Sequence, residues 1–175
     1  MSRFLDALTT GIKAALNQYT KPDSYVKGEQ FESYVRTYLF PQSHYRLLHK
    51  TAGYDQNRKD YVQSSREPDY LFECVRTRKR FHVECKFRSS LINGKLEWCK
   101  SDSQLERYQI INRDLPVFIA VGLQGQPNYP QYVFVVPVKH AKYTGLFPFV
   151  FEPFEVRRRS YIEIGELWNA LKMRR

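Results

Sequence analysis

Two acidic residues and one lysine lie within a short apolar stretch, residues 67–87. Asp69 follows Pro68 in one apolar run, and Glu84 and Lys86 flank Cys85 in the next. Two neighbouring carboxylates repel each other unless a cation lies between them, and their hard oxygens suit Mg²⁺ or Mn²⁺. Such an ion lowers the pKa of a coordinated water and stabilises charge on a phosphodiester. Lys86 would then orient or help to deprotonate the attacking water and neutralise the phosphate.

The chain around these residues predicts a β-hairpin, with strands at about 69–75 and 80–87 and a turn at 76–79. Folding the first strand back on the second brings Asp69 beside the segment Glu84–Lys86. Side chains alternate along a strand, so Glu84 and Lys86 share a face with His82 and Arg88. The opposite face turns into the core and carries Phe81, Val83, Cys85 and Phe87.

The plain alternative is a solvated strand face on which Asp69, Glu84 and Lys86 form exposed ion pairs, each worth about 0–1 kcal/mol. A Glu-x-Lys triplet alone favours that interpretation. Here the triplet follows a Pro-Asp pair at hairpin distance, and this spacing favours a chemical site.

Composition limits the candidate partners. The 175 residues suit one domain, and 28 Lys plus Arg against 18 Asp plus Glu give a net charge of +10. This excess favours a polyanionic partner, nucleic acid first and an anionic membrane surface second. Hydrophobic residues at 42% predict a folded chain rather than a disordered basic tail.

Location and redox state follow from what the sequence lacks. No apolar stretch approaches the roughly 20 residues that cross a bilayer, and the start has no apolar signal-peptide centre, so we expect a cytoplasmic protein. Three cysteines without a CxxC spacing suggest neither disulfides nor zinc. We expect reduced thiols, two of them in the core.

Hydrophobic periodicity and turn signals predict the other elements. A long polar loop is expected after the first strand. The proline- and aromatic-rich segment 147–156 supports no assignment. The predicted helices cover 2–18, 29–40, about 101–114 and 165–173, and the predicted strands cover 44–51, 116–123 and 131–138.

With "PD" at 68–69 and "ECK" at 84–86, the chain resembles the PD-(D/E)xK nuclease superfamily. The resemblance implies an α/β, restriction-endonuclease-like fold with an αβββαβ core and a mixed central sheet flanked by helices. The predicted order of elements in 27–122 is the same. One domain, 1–175, would comprise this core, the N-terminal helix 2–18 and a C-terminal extension 123–175.

The resemblance also implies roles for single residues. Asp69 and Glu84 would bind Mg²⁺ or Mn²⁺ directly, the Cys85 carbonyl could add an oxygen, and Lys86 would be the catalytic lysine. The stretch "GEQFESYV" resembles the "G…FE" pattern on the first core helix of archaeal Holliday-junction resolvases, in which an acid joins the site. The matching acid here is Glu32, with Glu29 as the alternative. "QLERY" resembles the QxxxY motif of RecB- and Cas4-type nucleases, in which Gln104 and Tyr108 would contact the substrate.

These patterns together predict a metal-dependent deoxyribonuclease, endonucleolytic, in repair, recombination or defence. The alternatives are a non-catalytic nucleic-acid-binding module on the same scaffold and a structural protein with a basic surface. We expect DNA as the partner and no membrane association, and the sequence is compatible with a homodimer. The aromatic segment 143–154 suits base stacking, or the core or a subunit interface, with the latter favoured. Phosphate contacts are assigned first to Arg78, Lys79 and Arg88, and then to Lys50, Arg58, Lys59, Arg76, Arg80 and Arg157 to Arg159.

Overall fold

The protein is described by a computed structural model that covers residues 23–51, 67–156 and 161–173. The predicted helix 2–18, nearly all of the predicted long loop, Arg58, Lys59 and Arg157 to Arg159 lie outside the described residues. No helix in the described ranges combines the length and apolar character that crossing a membrane requires.

A five-stranded mixed sheet forms the centre of the fold, in the strand order β1-β2-β3-β5-β6. Neighbouring strands are antiparallel except for β3 and β5, which are parallel. The helix Asp102–Asp114 connects these two strands, as a parallel pair requires. The expected αβββαβ core is therefore confirmed, and β6 adds a fifth strand. The strands are β1 Tyr45–Lys50, β2 Tyr70–Cys74, β3 Arg80–Arg88, β5 Val117–Gln126 and β6 Tyr129–Pro137.

The first described helix, α1, covers Asp23–Tyr34 and continues into a π-helical turn, Val35–Leu39. It begins six residues before the predicted start at residue 29. Gly28 suggested a boundary, but a glycine within a helix costs only about 1 kcal/mol, and the ion pair between Lys27 and Asp23 supports the first turns. The predicted stop before Pro41 is confirmed.

The remaining elements pack on the two faces of the sheet. Helix α2, Asp102–Asp114, is capped at its N-terminus by Ser101, whose hydroxyl accepts a hydrogen bond from the Gln104 amide. The sequence did not predict the two-stranded ribbon of β4 and β7 or the short helix α3, because each has too few residues for a periodic pattern. The ribbon and the last two helices are β4 Leu96–Glu97, β7 Gly145–Leu146, α3 Pro148–Phe151 and α4 Ile164–Lys172.

Apolar side chains form a core on each side of the sheet. Phe118 and Ala120 of β5 join the core that contains α1 and α4, whereas Val117 and Ile119 join the core beneath α2. The prediction that this apolar run is buried on both faces is confirmed. All three cysteines are buried and free. Both faces of β3 are covered, and His82 and Glu84 on its charged face are buried, so this face is not the solvated surface of the plain alternative.

Candidate active site

A notch opens in the sheet at the N-terminal end of β2, where β3 extends beyond its partner strand. The last paired residues of the hairpin are Tyr70 and Val83, and β3 then extends to Arg88 with β5 on one side. Among the described residues, no strand pairs with the other side of this extension. The side chains of Asp69, Glu84 and Lys86 belong to this notch, as the predicted hairpin register required.

The Asp69 side chain binds the β3 backbone on this side. Its Oδ2 accepts a hydrogen bond of 2.7 Å from the Cys85 amide. The amide and carbonyl of one strand residue point to the same side, so the Cys85 carbonyl also faces the notch. Thr51, at the end of β1, donates its amide to the Asp69 carbonyl and its hydroxyl to the Pro68 carbonyl, both at 2.9 Å. These bonds fix the Pro-Asp segment beside β3.

Glu84 is buried and is bound from two directions. The Lys86 Nζ lies 2.5 Å from its Oε1, and the Tyr108 hydroxyl donates to its Oε2 at 2.7 Å. Gln104 Nε2 lies 3.5 Å from Glu84 Oε1 and 3.2 Å from the Tyr108 hydroxyl. The two predicted QxxxY residues therefore reach the notch from α2, where they orient Glu84. Their contact with a substrate stays a prediction.

The notch holds more negative than positive charge. Burial and the neighbouring Glu84 carboxylate raise the pKa of Asp69 well above its ordinary value. Burial opposes the charged form of Lys86, but Glu84 and Asp69 outweigh it and raise the pKa of the ammonium. One lysine thus faces two carboxylates, a state that a further cation would relieve.

Glu32 approaches the notch from α1. Its neighbour Phe31 is fully buried and fixes this helix against the sheet, 6.1 Å from the Phe87 ring between centroids. The pKa of Glu32 is raised, because the effect of burial exceeds that of an ion pair of 3.2 Å with Lys50, which lowers the pKa. Sequence reasoning had assigned Lys50 to phosphate contact, but its ammonium is paired with Glu32. Glu29 is exposed on the same helix.

The side chains fit a hard cation only in part. Within the described ranges, no three carboxylate, imidazole or thiol groups gather closely enough to hold a metal ion. Two carboxylates, those of Asp69 and Glu84, and the Cys85 carbonyl remain as oxygen donors. Mg²⁺ commonly binds to one or two carboxylates and completes its shell with water and substrate phosphate. The donor set and its excess negative charge suit Mg²⁺ or Mn²⁺, whereas Glu32 as a third ligand stays a prediction.

The predicted phosphate contacts separate into two regions. Arg88 lies beside the notch, where its Nε donates to the Glu97 carbonyl at 2.6 Å. Arg78 and Lys79 lie at the turn of the hairpin, at the other end of β2 from Asp69. Arg78 pairs with Glu73 at 2.9 Å, and the Lys79 Nζ lies 4.8 Å from the centroid of the Trp168 ring.

Sequence reasoning missed the anchor of this second region. Glu73 is buried and pairs with three arginines, Arg46, Arg78 and Arg80, at 3.6, 2.9 and 2.9 Å. We call these four residues the arginine cluster. A hydrogen bond from Arg80 lowers the pKa of Glu73. The signal was available for one of these pairs, because Glu73 and Arg80 lie opposite each other across the predicted hairpin.

Comparison with known proteins supports the fold. No family model and no curated protein matches this chain. Its structure is similar to that of Hjc, a Holliday junction resolvase from the archaeal hyperthermophile Archaeoglobus fulgidus, with a TM-score of 0.52. The two chains are 20% identical, and the match covers 85% of this chain and 99% of Hjc. The expected restriction-endonuclease-like fold is confirmed.

Proposed function

We propose that this chain is a metal-dependent deoxyribonuclease that hydrolyses phosphodiester bonds at the notch. The observation that carries the proposal is the convergence of Asp69, Glu84, Lys86 and the Cys85 carbonyl where β2 leaves β3. A solvated strand face would not bury Glu84, which is 2% exposed, or hold it with the Tyr108 hydroxyl. The net charge of +10 supports DNA as the substrate.

Asp69 and Glu84 would hold Mg²⁺, with the Cys85 carbonyl as a third oxygen. A bound Mg²⁺ lowers the pKa of a coordinated water and neutralises charge on the scissile phosphate. Tyr108 and Gln104 keep the Glu84 carboxylate oriented. Lys86, whose ammonium already lies beside Glu84, would orient the attacking water and contact the phosphate.

The similarity to Hjc suggests branched DNA as one substrate to test. An endonuclease acting in recombination would bind such DNA through its shape and backbone. Repair and defence remain compatible with the same site.

The test compares wild type, Lys86→Ala and a matched Lys27→Ala control on circular, linear and four-way-junction DNA, with Mg²⁺ or with EDTA. Lys27 is a suitable control because its ammonium pairs with the exposed Asp23 on α1. We expect cutting by wild type and Lys27→Ala in Mg²⁺, and none by Lys86→Ala or in EDTA. Nicked circles would identify an endonuclease.

Cutting that survives Lys86→Ala would contradict the proposal. DNA retention without cutting by any variant would instead identify a non-catalytic binding module. Two observations favour this second candidate. Lys86 already neutralises Glu84, and the described residues bring no third acidic, imidazole or thiol group close enough to complete a metal site.

A further inference from the structure

An open groove lies beside the β4–β7 ribbon, and we call it the aromatic groove. It has a volume of about 1080 Å³ and is lined by Lys95, Glu97, Met173 and most of the segment 139–150, which includes β7. Three aromatic side chains project into solvent here: Tyr143 is 74% exposed, Phe149 68% and Phe147 45%. The two other phenylalanines of the aromatic segment 143–154, Phe151 and Phe154, are buried in the core. Packing therefore accounts for only part of the aromatic content of this segment.

The exposed rings are arranged as a stacking surface. The Phe147 and Phe149 planes lie within 12° of each other, with centroids 6.0 Å apart. The Lys95 Nζ lies 4.9 Å from the centroid of the Phe147 ring. Parallel rings next to a lysine are what unpaired bases and their phosphates need, because bases stack on aromatic faces and lysine binds the backbone.

Contacts between side chains link the notch to the elements that line the groove. Arg88, two residues beyond Lys86 on β3, donates to the carbonyl of Glu97, which lines the groove. Trp98 donates its indole N–H to the Tyr143 carbonyl at 2.7 Å. The Trp98 ring also lies 6.2 Å from that of Tyr108, which binds Glu84. The ribbon that precedes the exposed rings is therefore bonded to the end of β3 beside the notch.

Charge favours nucleic acid over a second copy of this chain. Among the described residues that line the groove, Lys95, Lys139 and Lys142 face a single acid, Glu97. A two-fold contact between identical grooves would bring lysines against lysines with few carboxylates to offset them. Lys139 is held by the carbonyls of Leu171 and Met173, which leaves Lys95 and Lys142 as the phosphate contacts of interest.

We propose that the aromatic groove binds an unpaired DNA strand next to the scissile phosphate, with bases on Phe147, Phe149 and Tyr143. This inference rests on the proposed function and deepens it, because it identifies the substrate as duplex DNA with a single-stranded flank.

The experiment measures fluorescence anisotropy in EDTA, so that the DNA stays intact. The probes are a short blunt duplex and the same duplex with an unpaired thymidine tail. For wild type we expect tighter binding of the tailed probe. In the double variant Phe147→Ala, Phe149→Ala the Kd for the tailed probe should rise about tenfold or more, with little change for the blunt probe. Tyr129→Ala, an exposed tyrosine at the β5–β6 turn, is the matched control and should behave as wild type.

A second variant tests the charge. In Lys95→Gln, Lys142→Gln, the slope of log Kd against log salt for the tailed probe should fall by about 1.4, since each single-strand phosphate contact contributes about 0.7. Circular dichroism spectra matching wild type would show that both double variants fold.

Equal binding of the two probes by wild type, or a tail preference that survives in both double variants, would overturn the proposal. So would a dimer that dissociates in the phenylalanine variant with the tail preference intact, because that assigns the groove to self-association. Cleavage is a separate readout. If Mg²⁺ supports no cutting while the tail preference depends on the groove, the nuclease proposal fails and the strand-binding groove stands.

Discussion

Two buried glutamates on the same face of the central sheet have opposite surroundings. Glu84 is 2% exposed and shares the notch with a second carboxylate, Asp69, and one lysine. Glu73 is 1% exposed and faces three arginines of the arginine cluster. The pKa of Asp69 is raised by burial and by Glu84, whereas the pKa of Glu73 is lowered by Arg80. Acidic groups outnumber basic groups at one end of the face, and basic groups outnumber acidic groups at the other.

The difference indicates a division of labour along β3. The notch suits a metal ion, while the arginine cluster suits DNA phosphates. Arg80 and Glu84 lie four residues apart on the strand, about 13 Å. The two regions would therefore contact different phosphates of one bound duplex. A substitution at one end of β3 should leave the function of the other end intact.

The largest effect is expected for Glu84→Gln. The substitution keeps the size of the side chain and removes the charge that a metal requires. We expect cleavage to fall about a thousandfold or more, the loss of roughly 4 kcal/mol of transition-state stabilisation. The melting temperature should stay near that of wild type, because one of two repelling carboxylates is gone. Cleavage rates and thermal unfolding measure the two effects. A fall in the cleavage rate of less than tenfold would show that the notch is not the catalytic site.

The next effect concerns how α1 reaches the notch. Gly122 pairs with Phe87 across β3 and β5, and a Cβ at this position would lie 2.5 Å from Phe31 Cε2. Gly122→Ala should therefore displace α1, lower the free energy of unfolding by about 1–3 kcal/mol and reduce cleavage through the shift of Glu32.

Gly165→Ala is the matched control, because a Cβ there meets open space. DNA retention through the arginine cluster should persist in both glycine variants at temperatures where they are folded. Denaturant unfolding and cleavage assays compare them. Equal stability of Gly122→Ala and wild type would show that the close approach of Phe31 is not required.

These two ends were not equally predictable from sequence. The notch followed from a short turn, which leaves one register for the hairpin, and from the alternation of side chains along β3. The Tyr108 to Glu84 hydrogen bond depends on how α2 crosses the sheet, so the sequence did not predict it, and the resemblance to known nucleases selected Tyr108 only as a substrate contact. The arginine cluster was missed because Arg46 comes from another strand. Arg78 joins it through a left-handed backbone conformation, φ 59°, which a general turn signal does not specify.

A smaller effect is expected for Glu73→Gln. Three arginines would lose their shared counter-ion, so the protein should be less stable than wild type, by less than in Gly122→Ala. The pKa of Glu73 is lowered in the folded protein, so its contribution is fully present above the ordinary pKa of about 4.5 and is lost as pH falls through the lowered pKa. Melting curves of both proteins at several pH values should therefore converge on acidification. A difference that grows on acidification would contradict this assignment, and cleavage at neutral pH should stay near wild type.

The smallest effect is expected for Arg78→Gln, which tests whether the arginine cluster binds DNA. The Arg78 side chain is 61% exposed although it pairs with Glu73, so its guanidinium can contact a phosphate without leaving the carboxylate. We expect weaker DNA binding and a salt slope reduced by about 0.9, the value for one phosphate contact on duplex DNA, with kcat unchanged. Arg113→Gln, at an exposed position in the last turn of α2, removes the same charge elsewhere. An equal loss of affinity in both variants would attribute the effect to net charge, and the arginine cluster would then serve stability rather than binding.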